Sequence, residues 1–84
     1  GKVVFDIVNG LAQPITRLYL VPSSSENWED SLLDAPLDAG ETLEMTVDDN
    51  VTECHYDLRA VFKGRKDLEH RNVNICKLTS FVVE

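Results

Sequence analysis

Eighty-four residues make one domain, and a chain this short buries only about 60–65% of its unfolded surface, so its stability calls for a covalent staple. A composition of 43% hydrophobic and 27% charged residues excludes intrinsic disorder, and no apolar run approaches the ~20 residues of a membrane span. A net charge of −7 makes nucleic acid and anionic lipid poor partners.

The charge is segregated. From Leu18 to Leu58 there are eleven acids and no Lys or Arg, whereas Arg59 to Glu84 carries six bases against three acids. Solubility and local ion pairing are the plain explanation. No signal peptide is visible, but a chain that opens on Gly1 rather than Met suggests processing.

Lys2 to Val8 alternates at period two, with Val3, Phe5 and Ile7 on one face, and reads as a first strand. Asn9-Gly10 is a turn dipeptide. Ile15 to Val21 reads as a second strand, closed by Pro22. In the stretch after Ser23, Trp28 to Leu33 predicts a short helical turn, capped by Ser25 or Asn27, with acids in its first turn. Thr42 to Val47 is a third strand with Leu43, Met45 and Val47 inward. Asp48-Asp49-Asn50 is a turn.

Cys54 to Phe62 is the most strand-like run, with Tyr56, Leu58, Ala60 and Phe62 toward the core and His55, Asp57 and Arg59 away from it. Gly64-Arg65-Lys66 predicts a three-residue hairpin loop, Leu68 to Ile75 the returning strand, and Leu78 to Val83 the last. The expected fold is all-β: a small antiparallel, immunoglobulin-like sandwich of about six strands, forming one domain over 1–84.

If residues 64–66 close the hairpin, Phe62 faces Leu68 and Cys54 faces Cys76. Directly opposed residues lie close enough for a disulfide after a small adjustment, worth about 3 kcal/mol in the loop-entropy model. The same register would put Val73 and Ile75 on the solvent side, so a β-bulge near residues 69–72 is expected, with a second irregularity near Cys76 to restore the cysteines. The competing reading is two buried free thiols in a cytosolic domain. Two cysteines without a C-x-x-C spacing make neither a zinc site nor a redox motif, and an oxidised structural pair implies a periplasmic or secreted protein.

No catalytic constellation is present in the sequence: His55 and His70 fall on opposite faces of the hairpin, and no nucleophile, phosphate loop or metalloprotease motif occurs. The expectation is a non-enzyme without a cofactor. The acids offer one specific chemistry. Glu26, Glu29, Asp30 and Asp34 crowd around Trp28, and Asp48 and Asp49 could approach from a neighbouring turn, as a calcium ion with its oxygen ligands would need. Helix-end complementarity and solvation explain the same acids. Trp28 would cap the open end of the sandwich or anchor a partner. Asp57 and Arg59, with Glu69 and Arg71 diagonal to them, predict a charge ladder on the solvent face or a polar recognition surface.

Together Ile15-x-x-Leu18-Tyr19-x-Val21-Pro22-Ser23-Ser24, Trp28-x-Asp30-x-Leu32-Leu33, Cys54-x-Tyr56-Asp57-Leu58-Arg59-Ala60-Val61-Phe62 and Val73-Asn74-x-Cys76 form a pattern. It resembles a set of short, exported β-domain proteins of Gram-negative bacteria, over roughly residues 3–83. That pattern has Gly where Glu29 stands and an Asp-Gly-like turn at Lys63-Gly64. The resemblance implies export and a small β-domain; it carries no activity and transfers no catalytic residue. The sequence therefore reads as an exported binding or structural module for a protein with a basic face. A calcium-binding module is the alternative, and a small hydrolase the second. Oligomeric state is not readable from it.

Overall fold

Period-two alternation becomes six strands in the computed structural model, which describes residues 2–48 and 53–84. They are β1 (Lys2–Asn9), β2 (Ile15–Pro22), β3 (Thr42–Asp48), β4 (His55–Phe62), β5 (Leu68–Asn74) and β6 (Ser80–Val83). They form two three-stranded sheets, ordered β3-β1-β6 and β2-β4-β5. The predicted inward residues Phe5, Ile7, Tyr56, Leu58, Ala60 and Phe62 meet in one core, joined by Val83 from the first sheet and Leu18 from the second. Leu37 and Ile75 plug it from the connections.

The sheets are not wholly antiparallel as expected. β6 runs parallel to β1, pairing Asp6 with Ser80 through Asn9 with Val83. The chain crosses from one sheet to the other after β5, and a crossing connection does not impose the reversal that a hairpin does.

Asn9 is no turn residue. It continues the inward phase of Val3, Phe5 and Ile7 and is fully buried. Its Nδ2 donates to Gln13 O (2.8 Å) and Leu37 O (3.0 Å), and its Oδ1 accepts from the Leu11 N–H (3.0 Å). Gly10 then passes so close to β6 that a Cβ there would stand 2.5 Å from Val82 Cγ1 and 3.0 Å from Val83 O.

The predicted helical turn at Trp28 to Leu33 does not form. The Leu32 N–H donates to Leu18 O (2.8 Å), and the Leu18 N–H to Ser31 Oγ (3.1 Å), so this backbone is spent on the edge of β2. Ser25 bonds locally to Asn27 instead of capping a helix. Among the described residues the one helical turn is 3-10, at Ile75–Lys77, where Asn74 Oδ1 accepts from the Cys76 N–H.

The hairpin register departs from the three-residue loop. β4 keeps pairing with β2 up to Ile15–Phe62, and the Lys63 N–H donates to Pro14 O (3.1 Å), so β5 meets β4 deeper, with Leu68 opposite Ala60 rather than Phe62. The expected bulge follows on β5, where Arg71 and Asn72 stand against Asp57 alone, between the pairs Tyr56–Val73 and Leu58–His70. Asn72 is the bulged residue at φ 56°, a left-handed conformation that Asn tolerates. Beyond it Tyr56 faces Val73, and the 3-10 turn supplies the second irregularity. Val73 and Ile75 thereby reach the core, and Cys54 and Cys76 meet as a disulfide with Cα atoms 5.3 Å apart.

Candidate functional site

The outer face of the β2-β4-β5 sheet gathers the residues with chemistry to offer. Opposed pairs place Tyr19 beside Arg59 and Val21 beside Asp57, all on the side away from the core. An outward face should be wet, yet Val21 is 3% exposed and Asp57 4% exposed. The prediction that Asp57 faces solvent is therefore corrected. The strand phase was right, but the connection after β2 folds back over this strip and excludes water from it.

Asp57 survives burial because its oxygens are supplied with donors. Oδ1 accepts from Ser23 Oγ (2.7 Å) and from the Asn72 N–H (3.0 Å), and Oδ2 accepts from Arg71 Nη1 (2.9 Å). The Asn72 amide exists in that position because the bulge turns it out of the ladder. That backbone bond is the largest influence holding the Asp57 carboxyl below its ordinary value; burial opposes it, and Ser23 and Arg71 add to it. The bulge, the left-handed Asn72 and the buried carboxylate are one device.

Arg71 links this device to the surface. Its guanidinium bonds Asp57 and, through Nη2, Glu69 Oε2 (2.9 Å), while its Cζ lies 5.2 Å from the Trp28 ring centroid. The Asp57 and Glu69 bonds, in that order, raise the Arg71 pKa above its already high value. Trp28 is half-buried, tilted 48° against Tyr19 with centroids 6.2 Å apart. It does not cap the open end of the sandwich. It roofs the outer face of one sheet.

The predicted charge ladder is present with changed pairing. Asp57–Arg71–Glu69 forms one branch, but Arg59 bonds Asp67 (2.6 Å) rather than Glu69. That bond is the main cause of the raised Arg59 pKa.

The other predicted residues do not join this face. Glu26, Glu29, Asp30, Asp34 and Asp48 are exposed, and Asp49 lies outside the described residues. Among the described residues no three His, Cys, Asp or Glu side chains come together to hold a metal ion. His55 is exposed, whereas His70 points coreward, edge-on to Phe81 at 5.1 Å. No cleft sized for a small molecule is present among the described residues, nor any helix long and apolar enough to cross a membrane.

Tyr19 and Ser23 were missing from the sequence-based site, whereas Arg71 was already placed in its charge ladder beside Asp57. One signal could have found the roof: β2 places two large apolar residues, Tyr19 and Val21, on its outward phase. No family model matches the chain, and no curated protein or solved structure matches it either.

Proposed function

We propose that the chain is an exported, non-catalytic binding module that engages a protein partner through the outer face of the β2-β4-β5 sheet. The observation that carries this is the Arg71 guanidinium, its side chain 57% exposed, yet fixed between Asp57, Glu69 and the Trp28 ring. Trp, Tyr and Arg are the residues that dominate interface energetics, and here Tyr19 and Arg71 stand on the sheet with Trp28 folded over them from the connection after β2. Holding them in place beforehand removes much of the side-chain entropy that association costs. Export is supported by the Cys54–Cys76 disulfide, a bond that persists in oxidising compartments.

A photo-crosslinking side chain placed at Arg17, which is exposed and shares this face with Tyr19, tests the binding reading in periplasmic extract. The expected adduct is competed away by excess purified domain and disappears when Arg71→Glu is added. An adduct that survives Arg71→Glu, or no competable adduct, defeats it. Export is tested separately by thiol alkylation in intact cells that make the parent chain, where free Cys54 and Cys76 thiols would count against it.

A further inference from the structure

Two three-stranded sheets have four edges, and three of them carry a device that blocks another strand. Along β2, Ile15 exchanges both backbone bonds with Leu37 (2.9 Å each), and Leu18 is occupied by Ser31 and Leu32. The β5 edge is broken by its bulge at Asn72 and carries Glu69 and Arg71. β6 has only four residues. Short, bulged and covered edges are the usual protections against strand addition.

β3 has none of them. It runs seven residues without Pro, keeps an unbroken register with β1, and pairs with no other strand among the described residues. The Asn9 N–H bond to Glu41 O sets the antiparallel alternation, so the backbone groups of Thr42, Glu44 and Thr46 point away from β1, toward the free edge. On the core side Leu43, Met45 and Val47 pack against the core but stay only half-buried. On the outer side Glu44 and Asp48 alternate with the two threonines, all exposed. Glu44 stands directly opposite Asp6, a like-charge pairing that weakens a sheet, and among the described residues no cation bridges either acid.

We propose that the free edge of β3 accepts an extended segment of a partner polypeptide as a fourth strand of the β3-β1-β6 sheet, a segment in which apolar residues alternate with Lys or Arg. Main-chain bonds to the Thr42, Glu44 and Thr46 groups hold it. Its apolar side chains complete the cover over Leu43, Met45 and Val47. Its cations meet Glu44 and Asp48 and relieve the Asp6–Glu44 opposition. A second copy of this chain is the poorer occupant, because β3-to-β3 pairing would gather Glu44 and Asp48 of both copies on one face of two chains of net charge −7.

Two synthetic peptides matched to the seven residues of β3 test this, one alternating valine with lysine, the other valine with glutamate. Amide NMR titration and hydrogen exchange on the purified, oxidised domain should show saturable shifts and new protection at Thr42 to Asp48 with the lysine peptide. The glutamate peptide should bind about tenfold more weakly or worse. Thr46→Pro should abolish binding, as its lost N–H faces the free edge. If that variant does not fold, Glu44→Lys with Asp48→Lys decides, since it should invert the peptide preference. Shifts confined to residues 26–38, no protection of β3 with either peptide, or an unchanged preference after charge reversal would each overturn the proposal. So would a concentration-dependent dimer with its β3 amides already protected. The supporting readouts, at Thr42 to Asp48, do not involve the Trp28 face.

Discussion

The two sheets of this domain are built to different standards. The β2-β4-β5 sheet carries two register irregularities, the buried Asp57 network, a loop roof and one end of the disulfide-bonded turn. The β3-β1-β6 sheet is a plain ladder, unbroken in register, with no ion pair among its described residues and Asn9 as its one buried polar anchor. Irregularity costs backbone bonds, and it is concentrated where it aims side chains at one another. The plain sheet keeps its regular edge open instead. Specific geometry and unused pairing capacity have been assigned to opposite sides of one core.

The largest test of that contrast is covalent. Cys54→Ser with Cys76→Ser should cost about 3–4 kcal/mol in urea unfolding, and native hydrogen exchange should rise first in β5 while β3 changes little. Uniform loss across both sheets would erase the distinction. Asn9→Ala is the counterweight on the plain side: stranding the polar groups it serves should cost roughly 3 kcal/mol, read from the same denaturation curves.

Asp57→Ala should cost about 2–3 kcal/mol at neutral pH, as it leaves the Asn72 amide and the Ser23 hydroxyl without their acceptor. Because the folded carboxyl titrates below its ordinary value of 3.8, its contribution is complete above that pH. It is lost as pH falls through the lower folded value. Urea midpoints should therefore drop more steeply for the wild type than for Asp57→Ala below about pH 4. Gly10→Ala, which drives a Cβ against Val82, should cost about 1–2 kcal/mol by thermal unfolding. Asp67→Asn comes last. Its pair with Arg59 is a surface bond, and the melting temperature should not move measurably.

Strand positions were legible because alternation is local: Val3-Phe5-Ile7 and Tyr56-Leu58-Ala60-Phe62 point where period two says they should. The disulfide was legible too, even though the loop it was counted from is not the loop that forms. The register starts two residues out at Leu68, is one out at Val73, and is true at Cys76, because the bulge and the 3-10 turn each return one residue. The burial of Asp57 was not legible from its own strand, since it depends on a loop that begins thirty-four positions earlier, at Ser23. Trp28 failed for the same reason. A short polar stretch with a cap and acids looks helical until its backbone is needed by a neighbouring edge. Asn9 could have been read correctly, as it keeps the inward phase of its strand, but the turn signal of Asn-Gly outweighed the phase.

The parallel pairing of β1 with β6 has a mechanical consequence. Asp6 to Asn9 lies alongside Ser80 to Val83 with both segments running the same way. Tension applied between Lys2 and Val83 therefore pulls these neighbours past each other along their length. Every bond in that ladder bears load together, and none can be peeled off singly as at the end of a hairpin. The plain sheet, with no disulfide and no buried ion, is the part of the molecule shaped to resist being stretched.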